Sequence, residues 1–557
     1  MTPLKRNIPL LWIAGRVRKR IPALLLMTGA FVATALLGVA FALGTRDVID
    51  CATSGRKEDF IRACLVQGSI IAGLLASQTL SHYLQEKLRA QLDRDWKKDL
   101  LHQLLLGDFP TVSTYHSGEL MNRLNNDVKA VNDGILSALP SVASTFTKIA
   151  AAIGALLAME PVFTLILLAT GAILIVFTGL LRRKMKLLQK QVSEEEGKVT
   201  ALLQESLEKL LMVQALDVAD QIELRSDNAM HRRYQAQRKR KNATLLANTG
   251  LNIMYYGAGF AALAWCSVGL LQGSITFGSL TAVTQLVNQL QTPFVRISGI
   301  FPQYIAMISS AERLLELENL EPAPSRTLEN PQHFYRSMTA IGADNLTFAY
   351  DRDLVLENAS FRIPKGAFAV ITGPSGIGKS TLLKLLLGIF HPAQGQLYLE
   401  SGDGHTPVSR STRRMFAYVP QGNLLLSGTL RENLTITRPD ATEKELAQAV
   451  YVSAMDEFLP HLPQGLDTLL GEGGAGLSEG QSQRLAIARA ILSGAPVILL
   501  DEGTSALDAE TEKLVLQRIR ALPDRTCLAV THRPAAIELC DWNIEMRNGK
   551  LSAKPMN

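Results

Sequence analysis

Charge is what long stretches of this chain lack. Only 19% of its 557 residues are Asp, Glu, Lys or Arg. Pro22 to Gly44 and Ala63 to Gln85 carry no formal charge, and none falls between Asn242 and Val295. No soluble core helix needs apolar runs of that length, which excludes a wholly soluble chain. Cysteine is also sparse. Cys51, Cys64, Cys266, Cys527 and Cys540 are scattered without a Cys-x-x-Cys pair, which argues against a zinc site or a disulfide framework. Aromatic residues make up 6% and are not interleaved with basic ones. The net charge of +6 therefore gives no nucleic-acid surface, and no nucleic-acid partner is expected.

What is present in abundance is membrane-length helix. A bilayer core of about 30 Å takes about 20 apolar residues. The stretches Pro22 to Gly44, Ala63 to Gln85, Gly134 to Met159 and Pro161 to Leu181 meet that need, Gly134 to Met159 being interrupted only by Lys148. The polar break Gln272, Gly273, Ser274 and Thr276 divides the uncharged region after Asn242 into two more, for six spans in all.

Lysines and arginines set the orientation. Lys5, Arg6, Arg16, Arg18, Lys19 and Arg20 precede the first span, and Arg182, Arg183, Lys184 and Lys186 follow the fourth. The positive-inside tendency places both groups in the cytoplasm. The opposite loops are poor in cations: Arg46 to Asp59 is near balance, Glu160 stands alone, and the Gln272 loop has no charge. The expectation is a multi-pass protein of a bacterial cytoplasmic membrane, with both the N-terminus and the C-terminal half inside. The first span is too long for a cleavable signal peptide, and no peptidase-like segment precedes it.

Glu86 to Asp133 and Arg182 to Lys241 read as charged cytoplasmic helical extensions, with Glu194, Glu195, Glu196 and Lys198 on a solvated face. Pro322, Pro324 and Pro331 mark a linker. The expected organisation is an all-α transmembrane domain over 1–318, a linker over 319–338 and an α/β domain over 339–557.

The α/β domain opens with a phosphate-binding loop. Gly373 to Thr381 reads Gly-Pro-Ser-Gly-Ile-Gly-Lys-Ser-Thr, between an apolar strand, Ala367 to Ile371, and an apolar helical run, Leu382 to Leu387. Glycines let successive backbone N–H groups turn toward phosphate, Lys379 reaches the terminal phosphates and the Ser380 hydroxyl suits Mg²⁺. The following helix adds its positive end. Downstream, the strand Val497 to Leu500 ends in Asp501 and Glu502. Asp501 suits a metal-bound water, and Glu502 suits the water that attacks the γ-phosphate.

The succession Gly373 to Ser380, Gln421, Leu477-Ser478-Glu479-Gly480-Gln481, Val497 to Glu502, Ser505 to Asp508 and Thr531-His532 resembles the nucleotide-binding domain of ABC transporters. With six spans ahead of it, the whole chain resembles a half-transporter of the exporter type, a six-helix transmembrane domain fused to a P-loop ATPase.

The resemblance implies roles for ATP and Mg²⁺. Gly373, Ser375, Gly376, Gly378, Lys379, Ser380 and Thr381 would line the phosphates, and Tyr350 would stack on adenine. Ser380, Gln421 and Asp501 would hold the metal, while Glu502, His532 and Lys379 would serve catalysis. Ser478, Gly480 and Gln481 would close over the nucleotide of an opposite subunit, with Asp508 communicating between the paired sites. The working unit would thus be a dimer, either of two copies or with a second half-transporter. Glu479 departs from the family, which usually has glycine there, and the tail after Lys550 is shorter than usual. By the same resemblance, Thr114 to Arg123 and Leu216 to Leu224 would be the helices that couple the two domains.

For the cargo, Thr281, Gln285, Asn288 and Thr292 recur at helical spacing on the sixth span. Such a polar stripe faces a cavity or glues helices together. A cation inside a span, as Lys148 is, costs about 2.5–3.5 kcal/mol on insertion scales and must find water, an acid or a ligand, unless it snorkels to the interface. With Arg296 it points to an anionic or zwitterionic amphiphile. The expected function is ATP-driven export of a lipid, peptide or drug-like compound. The alternative is an ATP-gated channel or regulatory membrane protein on the same fold.

Overall fold

The computed structural model describes residues 8–320, 328, 330–350, 353–402, 404–422, 425–471 and 476–556, with side chains described except at 172–184, 251, 254–255 and 291–301. They form two compact units. One joins Met1–Leu100 to Gly118–Glu318, and the other joins Leu101–Ser117 to Asn319–Asn557.

The first unit is helical. Its long elements are α1 (Ile21–Thr53), α2 (Lys57–Leu106, shared with the second unit from Leu101), α3 (Leu139–Met159), α4 (Pro161–Glu208), α5 (Ala219–Leu271) and α6 (Phe277–Glu318). Prolines open α1, α3 and α4, where a missing N–H costs nothing. Among the described residues, Ile8–Thr53, Lys57–Leu106 and Ser117–Met159 are long and apolar enough to cross a membrane, and Pro161–Gly171 and Tyr256–Leu271 are shorter apolar helices. Val39, Ala152, Leu156, Ala262, Val283 and Leu286 are buried together and bring α1, α3, α5 and α6 to one core.

Two stretches differ from the sequence reading. The loop expected over Arg46 to Asp59 is mostly helix, because α1 runs on to Thr53. Asp50 there accepts from the Gly278 N–H at 2.9 Å and the Thr276 hydroxyl at 2.8 Å, so a carboxylate satisfies the open N-terminus of α6. Nor is the charged run before α3 all solvated. It passes through wide, π-type turns at Arg123–Asp127 and Gly134–Ala138, and Arg123 and Asp127 are 6% and 3% exposed. Asp127 accepts from Ser310 Oγ at 2.9 Å and Arg313 Nε at 2.8 Å, and Arg123 donates to the Arg313 carbonyl at 2.9 Å. Buried charges require such partners.

In the second unit a six-stranded sheet has the order β12-β11-β3-β10-β9-β6. Its strands are β3 (Phe368–Thr372), β6 (Phe416–Val419), β9 (Val497–Asp501), β10 (Thr526–Val530), β11 (Trp542–Arg547) and β12 (Lys550–Pro555). All are parallel to their neighbours except β12. The central strands are near-continuous apolar runs, fully buried along β9 and β10, as helix-covered parallel strands are. An antiparallel sheet of order β2-β1-β4-β5 lies beside it, formed by β1 (Met338–Tyr350), β2 (Asp353–Pro364), β4 (Gln394–Ser401) and β5 (Gly404–Pro407). A short ladder pairs β7 (Gly428–Thr429) with β8 (Leu469–Leu470). The helices that bear on the site are α7 (Lys379–Leu386), α8 (Glu479–Leu492) and α9 (Ala509–Arg520).

The stretch expected as linker contains a helix, Pro331–Ser337, capped by the Asn330 side chain on the His333 N–H at 3.0 Å. The segment between α2 and α3 that packs on this unit lies earlier than Thr114 to Arg123. The short helix Phe109–Ser113 sets Phe109 against Phe390, with ring centroids 6.1 Å apart, and Arg410 Nη1 donates to the Leu106 carbonyl at 2.6 Å. Gly118 to Arg123 belongs to the helical unit. Leu216 and Leu224 flank the start of α5 and are exposed.

Candidate functional site

Parallel register gathers the motif residues. Val530 pairs with both Ile371 and Asp501, and Leu500 with Val419, so β3, β10, β9 and β6 end side by side. The residues that leave those ends are the phosphate loop, Thr531-His532, Glu502 and Pro420-Gln421. In open α/β sheets this edge is where ligands bind.

The loop from β3 to α7 takes a course that only glycine follows easily. Gly373, Gly376 and Gly378 have φ of 148°, 78° and 107°. A Cβ on Gly378 would lie 2.1 Å from Val355 Cγ1. Lys379, at the first position of α7, turns its ammonium back onto the Gly373 and Pro374 carbonyls, each at 2.8 Å. Burial pushes its pKa down, against the opposing pull of the Glu502 and Asp501 carboxylates. A buried cation whose partners among the described residues are carbonyls can exchange them for phosphate oxygens.

Asp501, 1% exposed, is held at both oxygens: Ser380 Oγ donates at 2.6 Å and Tyr418 OH at 2.9 Å. Burial, and then the Asp501 charge, push the Tyr418 hydroxyl pKa up, which keeps it a donor. Glu502 follows with φ 51°, a left-handed backbone rare for its type and costing about 1–3 kcal/mol. Its N–H donates to the Val530 carbonyl at 3.0 Å, and its Oε2 accepts from Gln421 Nε2 at 2.7 Å. The hydroxyl of Ser380, the carboxylate of Asp501 and the amide oxygen of Gln421 are hard oxygen groups of the kind that could hold Mg²⁺.

Tyr350 is 40% exposed, stands edge-on to Phe348 and Phe390 with centroids 4.9 and 5.3 Å away, and shares a 3.2 Å hydrogen bond with Thr381 Oγ1. The ring is thus partly exposed beside the phosphate loop. His532 is exposed, following buried Thr531.

The remaining residues lie on other loops. Ser478 caps α8, accepting from the Gln481 N–H at 3.2 Å while Gln481 Oε1 takes the Ser478 N–H at 2.9 Å. Reciprocal capping of this kind fixes the helix start. Glu479 is exposed in the first turn. Asp508 caps α9 through the Thr511 N–H at 2.9 Å, which holds its carboxyl below the usual range. In the helical unit Lys148 is half-buried and Asn288 exposed, and Thr281 Oγ1 bonds to the Gly278 carbonyl of its own helix at 2.7 Å. Gln285 Oε1 is buried with no partner among the described residues. The side chains of Thr292 and Arg296 lie outside the described residues. The sequence reading missed Gln289, one turn beyond Gln285, whose Nε2 donates to the Gly38 carbonyl at 2.8 Å. It also missed Tyr418, whose one signal is its place three residues before Gln421 on a strand ending beside β9.

The comparisons with known proteins agree with this geometry. The family described as "ABC transporter transmembrane region" matches residues 24–294, and that described as "ABC transporter" matches 356–505. An iron-sulfur clusters transporter ATM1, mitochondrial, of Debaryomyces hansenii is 34% identical over 321 residues, covering 56% of this chain but only 46% of its own length. An ATP-dependent lipid A-core flippase of Desulfotalea psychrophila is 27% identical over 550 residues, covering 96% of this chain and 93% of its own. A solved bacterial Atm1-family ABC exporter with ATP bound superposes with a TM-score of 0.77 at 24% identity, covering 96% of this chain and 94% of that one, which establishes likeness of fold. With a transmembrane region and an ATP-binding region matched in succession on one polypeptide, the chain belongs to the ABC transporters.

Proposed function

We propose that this chain is one half of a pump that hydrolyses ATP to export an amphiphilic compound across a bacterial cytoplasmic membrane. The observation that carries the reading is the row of adjacent strand ends from which Lys379, His532, Glu502 and Gln421 follow along one edge of the sheet. The transmembrane domain is 1–318, the linker 319–338 and the nucleotide-binding domain 339–557.

In this mechanism the loop N–H groups and Lys379 grip the β- and γ-phosphates, and Tyr350 stacks on the adenine. Ser380, Asp501 and Gln421 would hold Mg²⁺, which would supply charge neutralisation on the transferring phosphoryl oxygens. Glu502 takes the proton of the attacking water as the bond to the leaving phosphate breaks, giving ADP and phosphate. His532 donates to the γ-phosphate and steadies that water. Ser478, Gly480 and Gln481 of a second half-transporter present the N-terminus of α8 to the same phosphate. ATP drives the cycle through its higher affinity for the closed pair.

For the cargo, the buried amide oxygens of Gln285 and Gln289, without a partner among the described residues, favour a compound with hydrogen-bond donors, and half-buried Lys148 favours one with an anionic group. The lipid-flipping relative supports an amphiphile. The test is ATP hydrolysis by the purified chain in lipid nanodiscs beside Glu502→Gln, across lipids, peptides and amphiphilic drugs. Activity that the substitution abolishes and one compound class stimulates supports a self-sufficient pump. No activity overturns the two-copy form, and an ATP-opened conductance without turnover overturns the pump.

A further inference from the structure

The loop Ser505 to Asp508 is gripped from two sides by side chains outside the roles assigned above. Gln483, on α8 and 4% exposed, donates from Nε2 to Ser505 Oγ at 3.0 Å and accepts the Ala506 N–H on Oε1 at 2.9 Å. Arg533, the residue after His532, donates from Nη1 to the Leu507 carbonyl at 2.6 Å and from Nη2 to the Ser505 carbonyl. Arg533 is itself anchored. Its Nη1 lies 3.2 Å from Glu512 Oε2, and Glu512, 2% exposed, accepts the Thr504 hydroxyl on its other oxygen at 2.8 Å. At the start of α8 a Cβ on Gly480 would lie 2.9 Å from the Ala506 carbonyl oxygen, so the absent side chain is what lets helix and loop approach.

An amide and a guanidinium are planar forks, each with bond directions fixed by its plane. The loop cannot slide against either without losing two bonds at once. The start of α8, the loop and the backbone beside His532 therefore move together. We propose that Gln483 and Arg533 are positioning residues that transmit closure of the signature on one nucleotide to His532 at the other, which makes the paired sites cooperative. This rests on the two-site reading above. In a nucleotide pair the start of α8 meets the nucleotide held by the second half-transporter, whereas His532 serves the nucleotide of its own chain. The fork contacts are the link between them.

The experiment is ATP hydrolysis against ATP concentration for the full chain in nanodiscs, beside equilibrium binding of a fluorescent ATP analogue. The wild type is expected to give a Hill coefficient above one. In Gln483→Met and in Arg533→Met the coefficient falls to one and kcat drops about tenfold, the upper scale of one hydrogen bond, while analogue affinity stays within about twofold. Arg533→Lys, which keeps a charge beside Glu512 but cannot fork, loses cooperativity in the same way. The double variant is no worse than the worse single one, because both cut one link. If Gln483→Met does not fold, Gln483→Ala removes both bonds without crowding the site and gives the same loss of cooperativity. Variants that lower kcat or thermal stability with the coefficient unchanged overturn the linkage, and so does a wild type that is active but hyperbolic. A wild type without ATP hydrolysis overturns the two-copy form, and with it the linkage between two such copies.

Discussion

Gln421 and Glu502 are joined by a 2.7 Å hydrogen bond across the ends of two neighbouring strands. The amide occupies one carboxylate oxygen, and the proposed mechanism gives the other to the attacking water. Glu502→Gln keeps the shape and removes the base, so phosphate release should fall by about 10²–10⁴-fold, with ATP binding retained. Gln421→Ala leaves the base in place and should cost only about tenfold. Single-turnover phosphate release beside equilibrium nucleotide binding checks both; equal losses in the two variants would contradict this division.

Tyr418 holds the second oxygen of Asp501 at 2.9 Å. Tyr418→Phe removes one bond worth about 0.5–1.5 kcal/mol. The Mg²⁺ concentration for half-maximal hydrolysis should rise by up to about tenfold, with kcat at saturating Mg²⁺ within about twofold. A metal titration of the variant decides it.

Burial lowers the Lys379 pKa in the nucleotide-free chain. Phosphate favours the charged ammonium, so the bound state holds more protons than the free state at alkaline pH. ATP affinity should therefore fall as pH rises, at a pH below the ordinary lysine value of about 10.4, and binding should take up a proton there. Calorimetry in two buffers of different ionisation heat measures the uptake, which Lys379→Arg should abolish.

Glu479 stands exposed in the first turn of α8. A carboxylate there suits the helix end but repels an approaching phosphate. Glu479→Gly should lower the KM for ATP by about three- to tenfold at low salt, and the gain should fade at about 1 M salt, where the screening length is about 3 Å. A salt series of KM for both forms tests it; a gain independent of salt would point to backbone freedom instead.

The residues at the strand ends were legible because their chemistry is local. A Gly-x-x-x-x-Gly-Lys-Ser run or an acid pair after an apolar strand announces itself within a few positions. Tyr418, Gln483 and Arg533 are ordinary residue types whose partners lie 83, 22 and 26 positions away, and no window of sequence contains both ends of those bonds. The same distance hid Asp127, whose partner Arg313 is 186 residues along; in sequence it passes for part of a solvated helix face. The loop over Arg46 to Asp59 was misread for a different reason. Its charges sit at helical spacing, as Arg46 and Asp50 do, and charge balance alone does not distinguish a loop from the exposed end of a long helix.

The aromatic contact between Phe109 and half-buried Phe390 has a practical consequence for dissection. A fragment beginning at Asn319 would omit Phe109 and uncover the Phe390 ring, together with the Arg410 guanidinium that donates to Leu106. Such a fragment would carry a raw apolar spot next to an unmatched cation and should self-associate in solution. Adding back a peptide spanning Leu101–Ser117 should restore a monodisperse preparation.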